Sequence, residues 1–285
     1  MLLSSSIAAQ SDHEPSPRIR LVALDLDGTL IGRDFLIRDA VREAVAAVLE
    51  RGIPVTIATG RAFASTRRYA ELLRLDAPLV CYQGAAIFET RTGRVLDETP
   101  LCAAISCEIL TWANERGINP QCYHEDRVYV ESLNKYSKEY AKNQGVELVV
   151  VPSLRETFAQ CPTTKIILFD EPERALEHLA ALQALTGERA YLTRSDPQFV
   201  EVLDPRVNKG RGVANVAKRL GIPMDEVLAV GDAWNDVPMF SAVGIGVAMG
   251  SAPPEVRSQA DAVVADVTHD GVAEALHRFI LSNPR

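Results

Sequence analysis

The chain has 285 residues, 47% of them apolar and 24% charged, which is ordinary globular composition and enough for one large core or two smaller ones. Thirty Lys and Arg against 38 Asp and Glu leave a formal net charge of −8. That balance argues against a nucleic-acid partner but not against a small phosphate ester held in one local pocket. No run approaches the roughly 18 apolar residues of a membrane helix, and the five cysteines form no CxxC pair, so reduced thiols in a cytoplasmic protein are expected rather than disulfides or a zinc knuckle.

Residues 1–18 mix Ser, Pro and charge, with no basic residue ahead of the short apolar part; they read as a flexible tail rather than a signal peptide. Residues 20–24 (RLVAL) form a short apolar strand that runs into Asp25-Leu-Asp27-Gly-Thr. A helix follows over 39–50, stopped by Gly52. IPVTIATGR gives a second strand ending near Thr59, residues 62–74 a helix, and APLVCYQGAAIFE a third strand with a glycine break. Strand, helix, strand, helix, strand predicts a parallel sheet with helices on its faces.

The pattern changes near residue 85. IFETRTGRVLDETPL reads as a hairpin around Thr92-Gly93, residues 101–115 as a helix, and PQCYHEDRVYVESL as a short strand pair. VELVVVPS, TKIILF and QFVEVLD add strands, with a helix over EPERALEHLAALQALTG. These strands do not alternate with helices, so a separate α+β module is expected over 86–192. The first style then returns: a helix over 210–220, the strand EVLAVGD, a short helix in NDVPMFSAV, strands GIGVAM and ADAVV, and a last helix GVAEALHRFIL. The expected fold class is α/β, with a Rossmann-like parallel-sheet core over 19–85 and 193–285 split by an inserted α+β cap.

Ligands of open α/β sheets gather at the carboxyl ends of the strands. That edge would collect Asp25 and Asp27, Thr59-Gly60-Arg61, Lys209, and Asp232 with Asp236. Carboxylates so crowded need a cation between them. With only oxygen donors in these stretches, that cation is expected to be Mg²⁺, which keeps waters and co-binds substrate phosphate. Lys209, the Thr59 hydroxyl and amides of the Asp25–Gly28 turn can meet phosphoryl oxygens. Asp25, at the strand tip, is the natural nucleophile, forming an aspartyl-phosphate. Asp27 can protonate the leaving oxygen and then activate water.

At these residues the chain resembles haloacid dehalogenase (HAD) superfamily phosphatases of the Cof type, subfamily IIB, with a C2B cap. LDLDGTL at 24–30, ATGR at 58–61, NKG at 208–210 and VGDAWNDVPM at 230–239 match that family's ordered motifs. The resemblance implies Asp25 as nucleophile and Asp27 as acid/base, with the Asp27 backbone carbonyl on the metal. It implies Thr59, Gly60, Arg61 and Lys209 at the phosphate, Asp232 as a metal ligand, Asp236 as a ligand or its water-mediated support, and Asn235 as a helper for phosphate or metal waters. Gln83-Gly84 replaces the family's usual Asn-Gly, and Trp234 stands where small or polar residues are common.

The cap would select the substrate, with His124, Glu125, Arg127, Tyr129, Lys165, Arg194 and Ser195 as candidates to face it. The expected activity is Mg²⁺-dependent hydrolysis of a small phosphomonoester, a sugar phosphate first. A phosphomutase or a nucleotide or flavin-precursor phosphatase is the alternative, and a non-catalytic phosphometabolite-binding protein the last. The expected assembly is a monomer or weak homodimer. Neither a Gly-x-Gly-x-x-Gly after the first strand nor a Walker A loop is present.

Overall fold

The computed structural model describes residues 18–282; the expected tail lies outside them but for its last residue. In chain order the strands are β1 (Leu21–Leu24), β2 (Val55–Ile57), β3 (Leu79–Cys81), β4 (Ala86–Phe88), β5 (Val95–Glu98), β6 (Gln121–His124), β7 (Arg127–Val130), β8 (Leu148–Val150), β9 (Lys165–Phe169), β10 (Tyr191–Thr193), β11 (Phe199–Leu203), β12 (Val227–Gly231), β13 (Ile245–Met249) and β14 (Ala262–Val264).

A five-stranded sheet runs β14-β13-β12-β1-β2, parallel throughout. Helices cover both of its faces, so β1 and β12 are buried at every residue and read as continuous apolar runs. The helix Asp39–Glu50 buries Val41, Ala44, Val45 and Val48, the one-sided stripe its sequence carries. A six-stranded mixed sheet, β10-β11-β9-β6-β7-β8, forms the inserted cap. Its own core includes Ile109, Trp112, Phe158 and Leu182. The fold is therefore a Rossmann-like core interrupted by a cap.

Two expectations need revision. The third strand is two antiparallel strands, β3 and β4, because Tyr82, Gln83 and Gly84 all take positive φ (52°, 59° and 95°) and reverse the chain. The helix Lys135–Gln144 was not expected, because KYSKEYAKNQ carries no sustained apolar stripe. β4 pairs with β3 and β5 with β4, and β11 pairs with β9 in the cap sheet.

Candidate active site

The site begins with sheet register. The Asp25 amide donates to Val230 O at 2.9 Å, which brings the acid after β1 beside the end of β12, where Asp232 follows. Gly28, at φ +85°, lets the turn after Asp25 pass so close that a Cβ there would collide with the Asp232 carboxylate. Thr29 Oγ1 donates to Asp232 Oδ1 at 3.1 Å. One ligand oxygen from each of Asp25, Asp232 and Asp236 falls within 4.8 Å of the others.

Lys209 opens the helix Lys209–Leu220, whose N-cap Asn208 accepts from the Arg211 amide. Its ammonium is buried and donates to Asp25 Oδ1 at 2.5 Å and to Asp236 Oδ1 at 2.6 Å. The second Asp236 oxygen accepts from the amides of Asp232 and Ala233, at 2.8 and 3.0 Å. Asp236 thus braces both Lys209 and the loop that carries Asp232.

Electrostatics follow from this packing. Burial, then the charge of Asp236, holds the Asp25 carboxyl well above the ordinary carboxylate range despite Lys209. Burial and Asp236 likewise push Asp232 up to about 7. Burial alone would lower Lys209, but the Asp236 and Asp25 carboxylates outweigh it and hold the ammonium above its usual value. One cation is therefore too little for three crowded carboxylates. The excess negative charge, offered by oxygen donors alone, fits a hard divalent ion. A second feature agrees: Asn235 is buried beside the cavity, and its Oδ1 receives no hydrogen bond from any described protein group. Such an acceptor suits the water shell that Mg²⁺ retains.

A cavity of about 140 Å³ opens above Asp25 between core and cap. Its core side is Asp25, Asp27, Thr59, Gly60, Arg61, Ala233 and Asn235. Arg61 holds Asp27 with two bonds, Nε to Oδ2 at 2.7 Å and Nη2 to Oδ1 at 2.5 Å. Its amide donates to Thr59 Oγ1 at 3.1 Å. Asp27 therefore turns its side chain to Arg61, outside the carboxylate cluster. Lys209, Asp232 and Asp236 are not among the lining residues; they surround Asp25.

Among the cap candidates, Lys165 and Ser195 line the cavity, together with Gln144, Ile167, Asp196 and Phe199. Lys165 is buried and donates to Gly60 O at 2.7 Å and to Glu201 Oε2 at 2.8 Å. Arg194 stacks on Trp234, with its guanidinium carbon 5.2 Å from the ring centroid. His124, Glu125, Arg127 and Tyr129 do not line the cavity; His124 Nε2 lies 3.4 Å from Cys161 Sγ, and Tyr129 packs edge-on against Phe158.

Sequence reasoning missed Glu201 and Asp126. Glu201 sits in a buried strand of otherwise apolar residues, FVEVL, which was the available signal. Asp126, at the tip of the β6–β7 hairpin, accepts from the Phe63 and Ala64 amides at 3.0 and 3.1 Å and from the Tyr82 hydroxyl at 2.5 Å. It caps a core helix whose own N-cap, Ala62, has no side-chain acceptor.

A parallel-sheet core with acids at its strand ends, roofed by an inserted cap, defines a core-and-cap phosphohydrolase. The chain belongs to the haloacid dehalogenase-like hydrolase family, whose model matches residues 22–276. It is 28% identical to 5-amino-6-(5-phospho-D-ribitylamino)uracil phosphatase YcsE of Bacillus subtilis, over 92% of this chain and 96% of that one. Pyridoxal phosphate phosphatase YbhA of Escherichia coli is 27% identical, over 92% and 99%. The solved structure of a haloacid dehalogenase-like hydrolase from B. subtilis is 25% identical and superposes with a TM-score of 0.83, over 92% and 100%. The chain is an enzyme, a phosphatase of this superfamily working with Mg²⁺.

Proposed function

We propose that the protein hydrolyses a small phosphorylated metabolite, a sugar phosphate first, through an aspartyl-phosphate on Asp25. The observation that carries this reading is the convergence of Asp25, Lys209, Asp232 and Asp236 beneath a cavity shared by core and cap. Asp25 and Asp232, with the Asp27 backbone carbonyl, would hold Mg²⁺, and Asp236 would support them through Lys209 and the Asp232 amide. Bound there, Mg²⁺ supplies charge neutralisation for the nucleophile and the phosphoryl oxygens.

Asp25 attacks phosphorus in line as the ester P–O bond breaks, and Asp27 gives its proton to the leaving oxygen. Asp27 then takes a proton from water, which attacks the phosphoryl group, frees Asp25 and releases inorganic phosphate. The two Arg61 bonds use one lone pair on each Asp27 oxygen and leave others to serve the cavity. Thr59, Gly60, Arg61 and Lys209 position the phosphate.

The cavity is smaller than the roughly 300–1,000 Å³ of drug-sized pockets, which favours a small leaving group. Its Lys165, Ser195, Asp196 and Gln144 offer donors and acceptors to sugar hydroxyls. Phe199 and Ile167 give a second reading, a phosphorylated heterocycle, in line with the names of the two relatives. We place the protein in the Cof-type IIB group. Its cap is taken to run from the end of β5, Glu98, to the end of β11, Leu203.

Unpaired cysteines throughout favour the cytoplasm, and among the described residues no helix is long and apolar enough to cross a membrane. The proposed assembly is a monomer or weak homodimer. The test is turnover across a panel of about a hundred phosphorylated metabolites with Mg²⁺ and with EDTA. Mg²⁺-dependent release of phosphate from sugar phosphates is expected; release confined to heterocyclic phosphates selects the second reading, and metal-independent release refutes both.

A further inference from the structure

A continuous chain of hydrogen bonds links the cap to Asn235. Glu201 lies on β11, in the cap sheet. Its Oε2 accepts from Lys165, and its Oε1 accepts from Gln83 Nε2 at 2.8 Å and from the Ser195 hydroxyl at 2.5 Å. Gln83 Oε1 in turn accepts from Asn235 Nδ2 at 3.0 Å. Glu201, Gln83, Lys165 and Asn235 are each no more than 3% exposed.

The polarity of this chain is forced. An ion-paired carboxylate only accepts, so Gln83 must turn its amide nitrogen to Glu201 and its carbonyl to Asn235. Asn235 must then give its nitrogen to Gln83. That leaves Asn235 Oδ1, the buried acceptor that receives no bond from a described protein group, and the second hydrogen of Nδ2.

We propose that Glu201, acting through Gln83, fixes the Asn235 amide with its carbonyl toward the reacting centre, and that seating the cap is what sets this orientation. Glu201 and Gln83 are positioning residues; Asn235 is the group that meets the ligand. The ligand atom that meets Asn235 Oδ1 must be a hydrogen-bond donor, either a water held with Mg²⁺ or a substrate hydroxyl. A deprotonated phosphate oxygen, itself an acceptor, is excluded from Oδ1. This assigns the Asn235 carbonyl to a donor and rests on the phosphatase reading of the site. Gln83 gains a purpose too: its length and left-handed backbone carry the signal from the cap strand to the core loop.

The test is a double-mutant cycle of Glu201→Gln and Gln83→Met in the full chain. Glu201→Gln makes the end of the chain ambiguous between donor and acceptor. Gln83→Met cuts it while leaving the Lys165–Glu201 pair in place. The readouts are calorimetric Mg²⁺ affinity without substrate, and kcat/KM on p-nitrophenyl phosphate and on a hydroxyl-rich sugar phosphate. Each variant should lose about tenfold to a hundredfold in one of these readouts, and the double variant no more than the worse single one.

Non-additive loss of Mg²⁺ affinity identifies the donor as metal-held water. Non-additive loss confined to kcat/KM on the sugar phosphate identifies a substrate hydroxyl. Losses that multiply in every readout, or no loss, overturn the inference. Should Glu201→Gln not fold, Gln83→Met with Asn235→Ala forms the same cycle one link along, with the same outcomes. Calorimetry needs no turnover, so an inactive wild-type enzyme refutes the phosphatase reading while the additivity in Mg²⁺ affinity still decides the inference.

Discussion

The ammonium of Lys209 sits 2.5 Å from Asp25 Oδ1, a contact between residues 184 positions apart in the chain. It is buried together with Asp25 and Asp236, so the fold commits a positive charge to the place where the proposed mechanism brings nucleophile and phosphoryl group together. Breaking such a buried pair from one side costs about 3–5 kcal/mol, because the remaining charge is left without compensation. Lys209→Met should lower stability by that order in urea titrations of the metal-free protein and reduce kcat by about a hundredfold or more.

The carboxylates give metal-free stability a definite pH slope. Asp232 titrates at about 7 in the folded protein against 3.8 for an ordinary aspartate. Between these values the folded state holds a proton that the unfolded state has released, so the Asp232 contribution to stability falls as pH rises from about 4 to about 7. Asp25, also raised, acts in the same direction. Mg²⁺ binds the deprotonated acids, so the increase in Tm on adding Mg²⁺ should be larger at about pH 8 than at about pH 5. Thermal melts with and without the metal at the two pH values measure this.

Gly28 is where backbone and metal site share space. Gly28→Ala places a Cβ against the Asp232 carboxylate at φ +85°, a conformation that disfavours alanine. The expected result is a loss of about 1–3 kcal/mol with a weaker Mg²⁺ affinity by calorimetry. Gly52→Ala, also at positive φ but with nothing within 4 Å of its Cβ, should lose stability and keep Mg²⁺ affinity.

Asp126 fastens the cap to the first turn of the helix Phe63–Leu72, directly after Thr59-Gly60-Arg61. Asp126→Ala removes an N-cap and the Tyr82 bond, a cost of about 1–2 kcal/mol. Because that cost falls on the cap-closed form, KM should rise by more than kcat falls. Steady-state kinetics, with faster proteolysis in the cap, report it.

Much of the candidate site was legible because its residues lie within two positions of the ends of apolar strands: Asp25 after β1, Thr59 after β2, Asp232 after β12. Strand-end position converts sequence order into spatial proximity in a parallel sheet, whatever the distance along the chain. The contacts between cap and core follow no such rule. Asp126 reaches Tyr82 and the Phe63 amide, and Glu201 reaches Gln83, through tertiary packing that local pattern does not encode. The chain reversal after Cys81 was hidden for a related reason: Tyr82 and Gln83 hold a left-handed backbone that only their surroundings enforce. Lys165, which reads as the flank of an apolar strand, is instead a buried cation over Gly60.

The most direct test of the account is the fate of the phosphoryl group on Asp25. Acid-quenched turnover with a labelled phosphate ester and Mg²⁺ should leave the label on the peptide that contains Asp25, in wild-type protein and not in Asp25→Asn, which should also cease to turn over. Undiminished Mg²⁺-dependent turnover by Asp25→Asn, or label recovered on another side chain, would contradict it.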